Sequence, residues 1–268
     1  MKGILYMKFD MHCHVKEGSV DSKIGIEEYI AKLVKYGFDG MLITDHNTYK
    51  GYRYWKNTLK GNKYKDFVVL KGIEYDTMKA GHILIIMPQN VKLRILELRG
   101  LPLPILIDIV HCNGGILGPA HPCGEKYLSL ANTKYYRKNP DIMKKFDFVE
   151  IYNACEPEKI NKEAAQLARK YNKPGFGGSD AHKEDCITKG FTEIPAVITC
   201  ESDLIQCVAN KVPLKCGGTR YYGTTKDRIG KINNVLLYSF WLYNKSAGLL
   251  KVIKRRKRIK EERVAYAR

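Results

Sequence analysis

The chain is short of acid: 28 Asp and Glu stand against 46 Lys and Arg, giving a formal charge of +18 over 268 residues. It also lacks any Cys-x-x-Cys pair among its eight cysteines, which together with its length argues against a disulfide scaffold and for reduced thiols. Long apolar runs are missing too. The longest, Val235 to Tyr243, has nine residues, against the ~20 a membrane-spanning helix needs. The opening Met1–Lys8 has no apolar stretch of the secretory kind, so a cytoplasmic protein without a transmembrane segment is expected. With 44% hydrophobic and 28% charged residues, the composition excludes disordered and fibrous classes and fits an ordinary globular chain.

The positive charge is concentrated at one end. Residues 211–268 carry 16 basic and 3 acidic side chains, whereas the first 210 residues are close to balance at +5. A division into a globular part, residues 1–220, and a basic extension, residues 221–268, is therefore expected. The extension includes the run Lys251–Lys260 and the aromatics Tyr221, Tyr222, Tyr238, Phe240, Trp241 and Tyr243. Such a tail suits a nucleic acid, an anionic membrane surface or simply solvent, and its aromatics suit base stacking or docking of a terminal helix.

Short β-rich runs alternate with helical ones. Strands are expected over 7–14, 40–44, 67–74, 82–87, 115–120, 146–152 and 175–179. A helix from Ile26 to Tyr36 places Ile26, Ile30, Leu33 and Val34 on one face, with Gly37 as its stop. Others are expected from Pro104 to Cys112 and from Pro157 to Tyr171, the latter with Ile160, Ala164, Leu167 and Ala168 as its apolar stripe. This alternation predicts an α/β fold with a parallel sheet and outer helices, either a closed or nearly closed barrel or an open doubly wound sheet.

Histidines and acids recur where the strands end. His12 and His14, two apart on the first strand, project from one face while Met11 and Cys13 face the other. Later strands run into Asp45-His46, Glu74, His121 and Asp180-Ala-His182, and His82 opens another. In a parallel α/β structure the strand ends meet at one face, so residues 170 positions apart in sequence converge there. His111, inside an expected helix, stands apart as a solvated or capping histidine.

These signatures resemble those of the PHP (polymerase and histidinol phosphatase) family of metal-dependent phosphoesterases. The resemblance rests on Met-His12-Cys-His14, Ile-Thr-Asp45-His46-Asn, Gly-Ile-Glu74 with Gly-His82, Ala-His121-Pro and Gly-Gly-Ser-Asp180-Ala-His182, spread over residues 7–220. It implies a distorted, TIM-like (β/α)7 barrel with two or three divalent ions at its mouth. By the same resemblance His12, His14, Glu74 and Asp180 hold one ion, and Glu74, His82 and His121 a second, with Glu74 bridging. A third takes His46 and His182 with an acid from the loop after His14. Here Ser19 and Val20 stand where the family commonly has Asp or His, and Asp21 is preferred to Glu17 as the replacement. Asp45 is expected either beside this site or orienting a ligand histidine, and the stretch Phe191–Cys216 resembles the family's accessory region.

Imidazole and carboxylate donors without thiolate favour Mn, Zn or Fe over Mg. Cys13 and Cys123 are expected to pack behind the site, and Lys16, Lys183 and Arg220 are the cations nearest the motifs. The chemistry implied is hydrolysis of a phosphomonoester, or of a nucleotide or oligonucleotide phosphodiester, with Glu74, Asp180 and His182 as catalytic residues. Substrates would be phosphorylated small molecules or nucleotides, with nucleic acid engaged through the basic tail. The competing class is a nucleic-acid or membrane-surface binding module whose metal is structural.

Overall fold

The structure, a computed structural model, describes residues 6–124 and 128–224 together with residues 227, 239, 242 and 246. Tyr238, Phe240, Trp241, Tyr243 and the run Lys251–Lys260 lie outside the described residues. One unit of the chain extends to Tyr221. Its elements follow in the order β1 (Met7–Cys13), α1 (Ile26–Lys35), β2 (Gly40–Ile43), α2 (Lys50–Thr58), β3 (Val68–Asp76), β4 (His82–Ile86), α3 (Leu103–Cys112) and β5 (Ile116–Pro119). After these come α4 (Lys134–Lys138), β6 (Val149–Asn153), α5 (Glu158–Lys170), β7 (Gly175–Gly178), β8 (Gly190–Ile194), α6 (Glu201–Ala209) and β9 (Lys215–Gly218).

The fold is α/β, with helices beside a curled seven-stranded sheet of order β5-β4-β3-β2-β1-β8-β9 and a two-stranded sheet, β6-β7. The sheet is not uniformly parallel. β1, β2 and β3 run parallel, as do β6 and β7, but β4 is antiparallel to both β3 and β5, and β8 to both β1 and β9. The reason lies in the link from β3 to β4: Thr77–Gly81 is far too short for a crossover helix, so the chain must turn back on itself. This reversal carries a consequence for the site. His82 begins β4, so it arrives at the same sheet edge where β1 and β3 end.

The seven expected strands all form, within one to three residues at each end. β8, β9, α2, α4 and α6 were not anticipated. β8 is five residues long, and α2 buries only Gly51 and Trp55, so neither gives a strong apolar period. In α1 the buried stripe is Ile26, Tyr29, Ile30 and Leu33, whereas Val34 is 42% exposed. Tyr29 takes that place because its hydroxyl reaches inward to Asp10 Oδ2 at 2.9 Å. α5 buries Ala164 and Ala168, as its stripe predicts.

The two sheets meet at both ends. Asp147 N donates to Leu117 O at 2.9 Å beside β5, and Asp180 N donates to His12 O at 2.9 Å beside β1. Small residues permit this approach: a Cβ at Gly178 would lie 2.5 Å from His12 N, and one at Gly118 would lie 2.4 Å from Phe148 O. Phe9, Met11, Leu42, Leu84, Phe148 and Phe176 fill the space between the sheets, each fully buried. Burying one such side chain contributes about 1.5–3 kcal/mol. Among the described residues no helix is long and apolar enough to cross a membrane.

Candidate metal centre

Glu74 lies 1% exposed near the end of β3 and faces five imidazoles. Its Oε1 is 2.8 Å from His82 Nδ1 and 3.0 Å from His121 Nε2. Its Oε2 is 3.1 Å from His46 Nδ1, 3.3 Å from His14 Nε2 and 3.5 Å from His12 Nε2. Asp180 closes the other side, with Oδ1 at 3.2 Å from His14 Nε2 and 3.5 Å from His12 Nε2. At the rim, Asp21 Oδ2 lies 3.4 Å from Nε2 of both His46 and His182. His12, His14, His46, Glu74, His82, His121, Asp180, His182 and Asp21 thus gather in one cleft.

Hydrogen bonds on the far side of the rings set which nitrogens face inward. His12 Nδ1 donates to Glu150 Oε1 at 2.8 Å. His14 Nδ1 donates to Ser19 Oγ at 3.2 Å, and Ser19 Oγ in turn donates to Asp45 Oδ1 at 3.0 Å. With the Nδ1 positions protonated, the Nε2 lone pairs of His12 and His14 face each other 3.1 Å apart. Two such lone pairs repel unless a positive charge sits between or beside them. Donor separations near 3–3.5 Å are those of neighbouring ligands at bond lengths of roughly 2.0–2.2 Å. The residues therefore fit divalent ions, and among the described residues three sets have ligand atoms close enough: His12–His14–Asp180, His46–Glu74–His82 and His14–His46–His182.

The charges reinforce this reading. Burial acts to raise the pKa of Glu74, but His46, His82 and His12 hold it well below the usual carboxylate range. Burial likewise opposes ionisation of Asp180 and Asp21, which nearby histidines nonetheless hold low. Conversely, burial acts to lower the histidines, yet the carboxylates push His12 and His46 well above the ordinary imidazole value and raise His121 and His182. A site that attracts protons this strongly attracts cations in their place, and cation binding then releases those protons.

Asp45 is buried beside the cleft, and burial raises its pKa to about 6. It reaches His14 through Ser19, so the serine at the position where an Asp or His was expected carries a relay instead. Val20 points away, 74% exposed. Cys13 packs with Val15 and Ile26 on the opposite side of β1, and no described cation cluster contains a cysteine. Cys123 is partly buried, with burial raising its thiol to about 12. His111 is paired with Asp147 at 2.9 Å, away from this set.

Four residues at the site escaped the sequence reading. Glu150 holds His12 and accepts the backbone N–H of His121, which has a φ of +28°. Asn153 Nδ2 donates to Asp180 Oδ2 at 3.1 Å. Asp76 and Arg99 pair at 2.8 Å next to His82. A signal existed for two of them. Asp76 stands two places beyond Glu74 on the same strand, and Glu150 is a lone acid in an apolar strand.

A family model described as PHP domain matches residues 10–177, and one described as PHP-associated matches residues 159–211. Among solved structures, Endonuclease Q in complex with a 27-mer duplex substrate bearing an abasic lesion aligns at a TM-score of 0.63 and 16% identity. That alignment covers 79% of this chain and 58% of the Endonuclease Q chain. A two-domain protein from Bacteroides vulgatus containing a predicted PHP-like metal-dependent phosphoesterase aligns at 0.55 and 16% identity, over 82% of this chain and 66% of that one. PsfC from Pseudomonas syringae aligns at 0.58 and 16% identity, over 88% of this chain and 99% of its own. At such identities the likeness is one of fold. No curated protein sequence matches the chain.

Proposed function

The chain belongs to the PHP domain family, and from that premise we propose that it is a metal-dependent phosphoesterase acting on a phosphomonoester or on a nucleotide or oligonucleotide phosphodiester. The observation that carries this is the facing pair His12 Nε2 and His14 Nε2, 3.1 Å apart and flanked by the carboxylates of Glu74 and Asp180. Donors of this kind would hold two or three ions of Mn, Zn or Fe, which would make water a nucleophile near neutral pH and offset phosphoryl charge.

The protein's own groups do the rest. His12, His14, Glu74 and Asp180 form one set of ligands, Glu74, His82 and His121 a second, and His46, His182 and Asp21 a third. Glu150 and Ser19 hold His12 and His14 through their Nδ1 atoms, so Nε2 is the nitrogen each presents to an ion. Asn153 aims Asp180. His182, at the rim, donates Nδ1–H to Asp180 O at 3.0 Å, which turns its Nε2 toward Asp21 and the third set of ligands.

On the same reading, β1 to β7 make up a distorted (β/α)7 barrel, residues 1–220 are the catalytic unit, and residues 221–268 are a basic extension toward nucleic acid. The duplex DNA held by Endonuclease Q makes an oligonucleotide a substrate to assay first. The other class, a binding module with structural metal, separates cleanly by experiment. Bis-p-nitrophenyl phosphate and p-nitrophenyl phosphate are incubated with the chain and Mn²⁺, beside His12→Ala and Asp180→Ala. Turnover lost in both variants is expected. Salt-dependent nucleic-acid binding that survives both substitutions, with no turnover by the wild type, would establish the module.

A further inference from the structure

All eight cysteines are free, and two of them touch. Cys155 Sγ and Cys186 Sγ lie 3.7 Å apart, although 31 residues separate them in sequence. Among the described residues no other two sulfurs stand this close. Cys155 follows β6 in the connection to α5 and is partly exposed, whereas Cys186 ends a short helical turn between β7 and β8 and is fully buried.

Both thiols rest against the stretch of chain that carries Asp180. Cys186 Sγ is 3.3 Å from Ser179 O, and Cys155 Sγ is 3.5 Å from both Ser179 O and Asp180 O. Cys155 N donates to Asn153 Oδ1 at 2.9 Å, and Asn153 Nδ2 in turn donates to Asp180 Oδ2. Tyr221 ties the two connections together a second time. Its N–H donates to Ala154 O and its hydroxyl to Asp185 Oδ1, each at 2.8 Å, so the residues next to both cysteines are held and the sulfurs stay face to face.

The sulfurs of a disulfide lie about 2.05 Å apart, so closure brings this pair together by roughly 1.7 Å. Both residues sit in connections, where the backbone gives more readily than in a strand. We infer that Cys155 and Cys186 are a site of oxidative modification, closed to a disulfide by a hydroperoxide, and that closure weakens ion binding at Asp180. In the first step Cys155 Sγ attacks one peroxide oxygen, the O–O bond breaks and the other oxygen leaves as water or an alcohol, giving a sulfenic acid. In the second, Cys186 Sγ attacks Cys155 Sγ, the S–O bond breaks, and the hydroxyl leaves as water with the proton of Cys186. Two electrons pass from the thiols to the peroxide. Cys155 reacts first because it is the exposed partner, and because Cys186 and burial hold its thiol well above the ordinary cysteine value, the reaction is slow at neutral pH.

Closure takes both S–H donors from the carbonyls of Ser179 and Asp180 and shifts the residue whose N–H holds Asn153. Asp180 then loses part of what aims it. This half of the inference rests on the reading of the cleft as a metal centre.

The test uses the full chain, reduced and stripped with chelator, exposed to hydrogen peroxide, quenched, alkylated in denaturant and mapped by mass spectrometry. A peptide cross-linked through Cys155 and Cys186 is expected as the dominant disulfide, and dithiothreitol should remove it. In Cys186→Ser the sulfenic acid of Cys155 should instead be trapped by dimedone, and in Cys155→Ser the Cys186 thiol should survive. No cross-link, disulfides spread over other pairs, or a cross-link that forms only in urea would each overturn the assignment. Titration with Mn²⁺ follows. The oxidised wild type is expected to bind one ion about tenfold more weakly than the reduced chain, with recovery on reduction, while Cys155→Ser given the same peroxide should bind as before. Equal binding by oxidised and reduced wild type would overturn the link to Asp180. A reduced chain that takes up no Mn²⁺ would overturn the phosphoesterase proposal and that link together, and the cross-link would still stand or fall on the mapping. If Cys155→Ser fails to fold by circular dichroism, mapping of the wild type and of Cys186→Ser decides: an untrapped Cys155 in the latter rejects the first step.

Discussion

Asp10 and Glu74 are both buried carboxylates beside the end of β1, yet one sits in a seam and the other in a cleft. In the seam between β1 and β7, Asp10 accepts four bonds: from Ser179 N at 2.8 Å, Ser179 Oγ at 2.5 Å, Tyr29 OH at 2.9 Å and His12 N at 3.3 Å. Burial raises its pKa, and these neutral donors offset that only in part. In the cleft, burial presses on Glu74 in the same direction, but the imidazoles overcome it and its pKa falls. The partner, not the burial, decides the outcome. The seam satisfies its acid with the chain's own hydroxyls and amides, so nothing is left for a ligand. The cleft leaves lone pairs and charge unanswered by the chain.

The largest effect that separates the two regions should follow removal of the cleft carboxylate. Glu74→Gln is expected to lower phosphodiester turnover by roughly 10³-fold and to reduce the ions bound per chain. The chelated protein should melt near the wild-type temperature. A variant that binds ions normally but unfolds early would mean that Glu74 serves the fold as Asp10 does, and the distinction would fail. Removal of the seam carboxylate should do the reverse. Asp10→Ala leaves four donors inside the protein without this acceptor, costing about 3 kcal/mol and lowering the melting temperature by about 10 °C. Ion stoichiometry of the folded fraction should stay as in wild type.

The cleft was more legible in the sequence than the seam. Histidines at strand ends announce themselves because nothing in a packed core explains a polar residue repeatedly following an apolar run. His12, His14, His46, His82, His121 and His182 all lie in the cleft for that reason. The direction of β4 was not legible, since a strand reads alike both ways. Only the shortness of Thr77–Gly81 betrays the reversal, and with it the route by which His82 reaches the mouth. Asp10 gave no signal as a seam residue, because its partners Tyr29 and Ser179 come from 19 and 169 residues away. Glu150 stood out only as a lone acid in an apolar strand, and its partner His12, 138 residues away, could not be read from that. Contacts made by folding leave no local pattern.

A smaller effect, on pH, sharpens the contrast further. His12, His46, His121 and His182 have raised pKa values in the folded chain, because burial is outweighed by the surrounding carboxylates. In chelated protein their protonated forms therefore stabilise the fold fully below the unfolded imidazole value of about 6.5. That contribution is lost as pH rises through the folded values. Asp10 also has a raised pKa, but its cost accrues from the unfolded value of 3.8 upward, in a window well below that of the imidazoles. Between pH 6.5 and 8.5 the melting temperature of chelated wild type should thus fall by a few degrees, on the order of 1 kcal/mol. Added Mn²⁺ should cancel the slope, since the ion replaces the lost protons and binds more tightly as pH rises. Asp10→Ala should keep the slope from a lower starting point, while Glu74→Gln should flatten it, because the carboxylate that faces five imidazoles is gone. Scanning calorimetry of the three proteins over that range decides the matter: a slope that persists in Glu74→Gln but vanishes in Asp10→Ala would move the proton-binding groups out of the cleft.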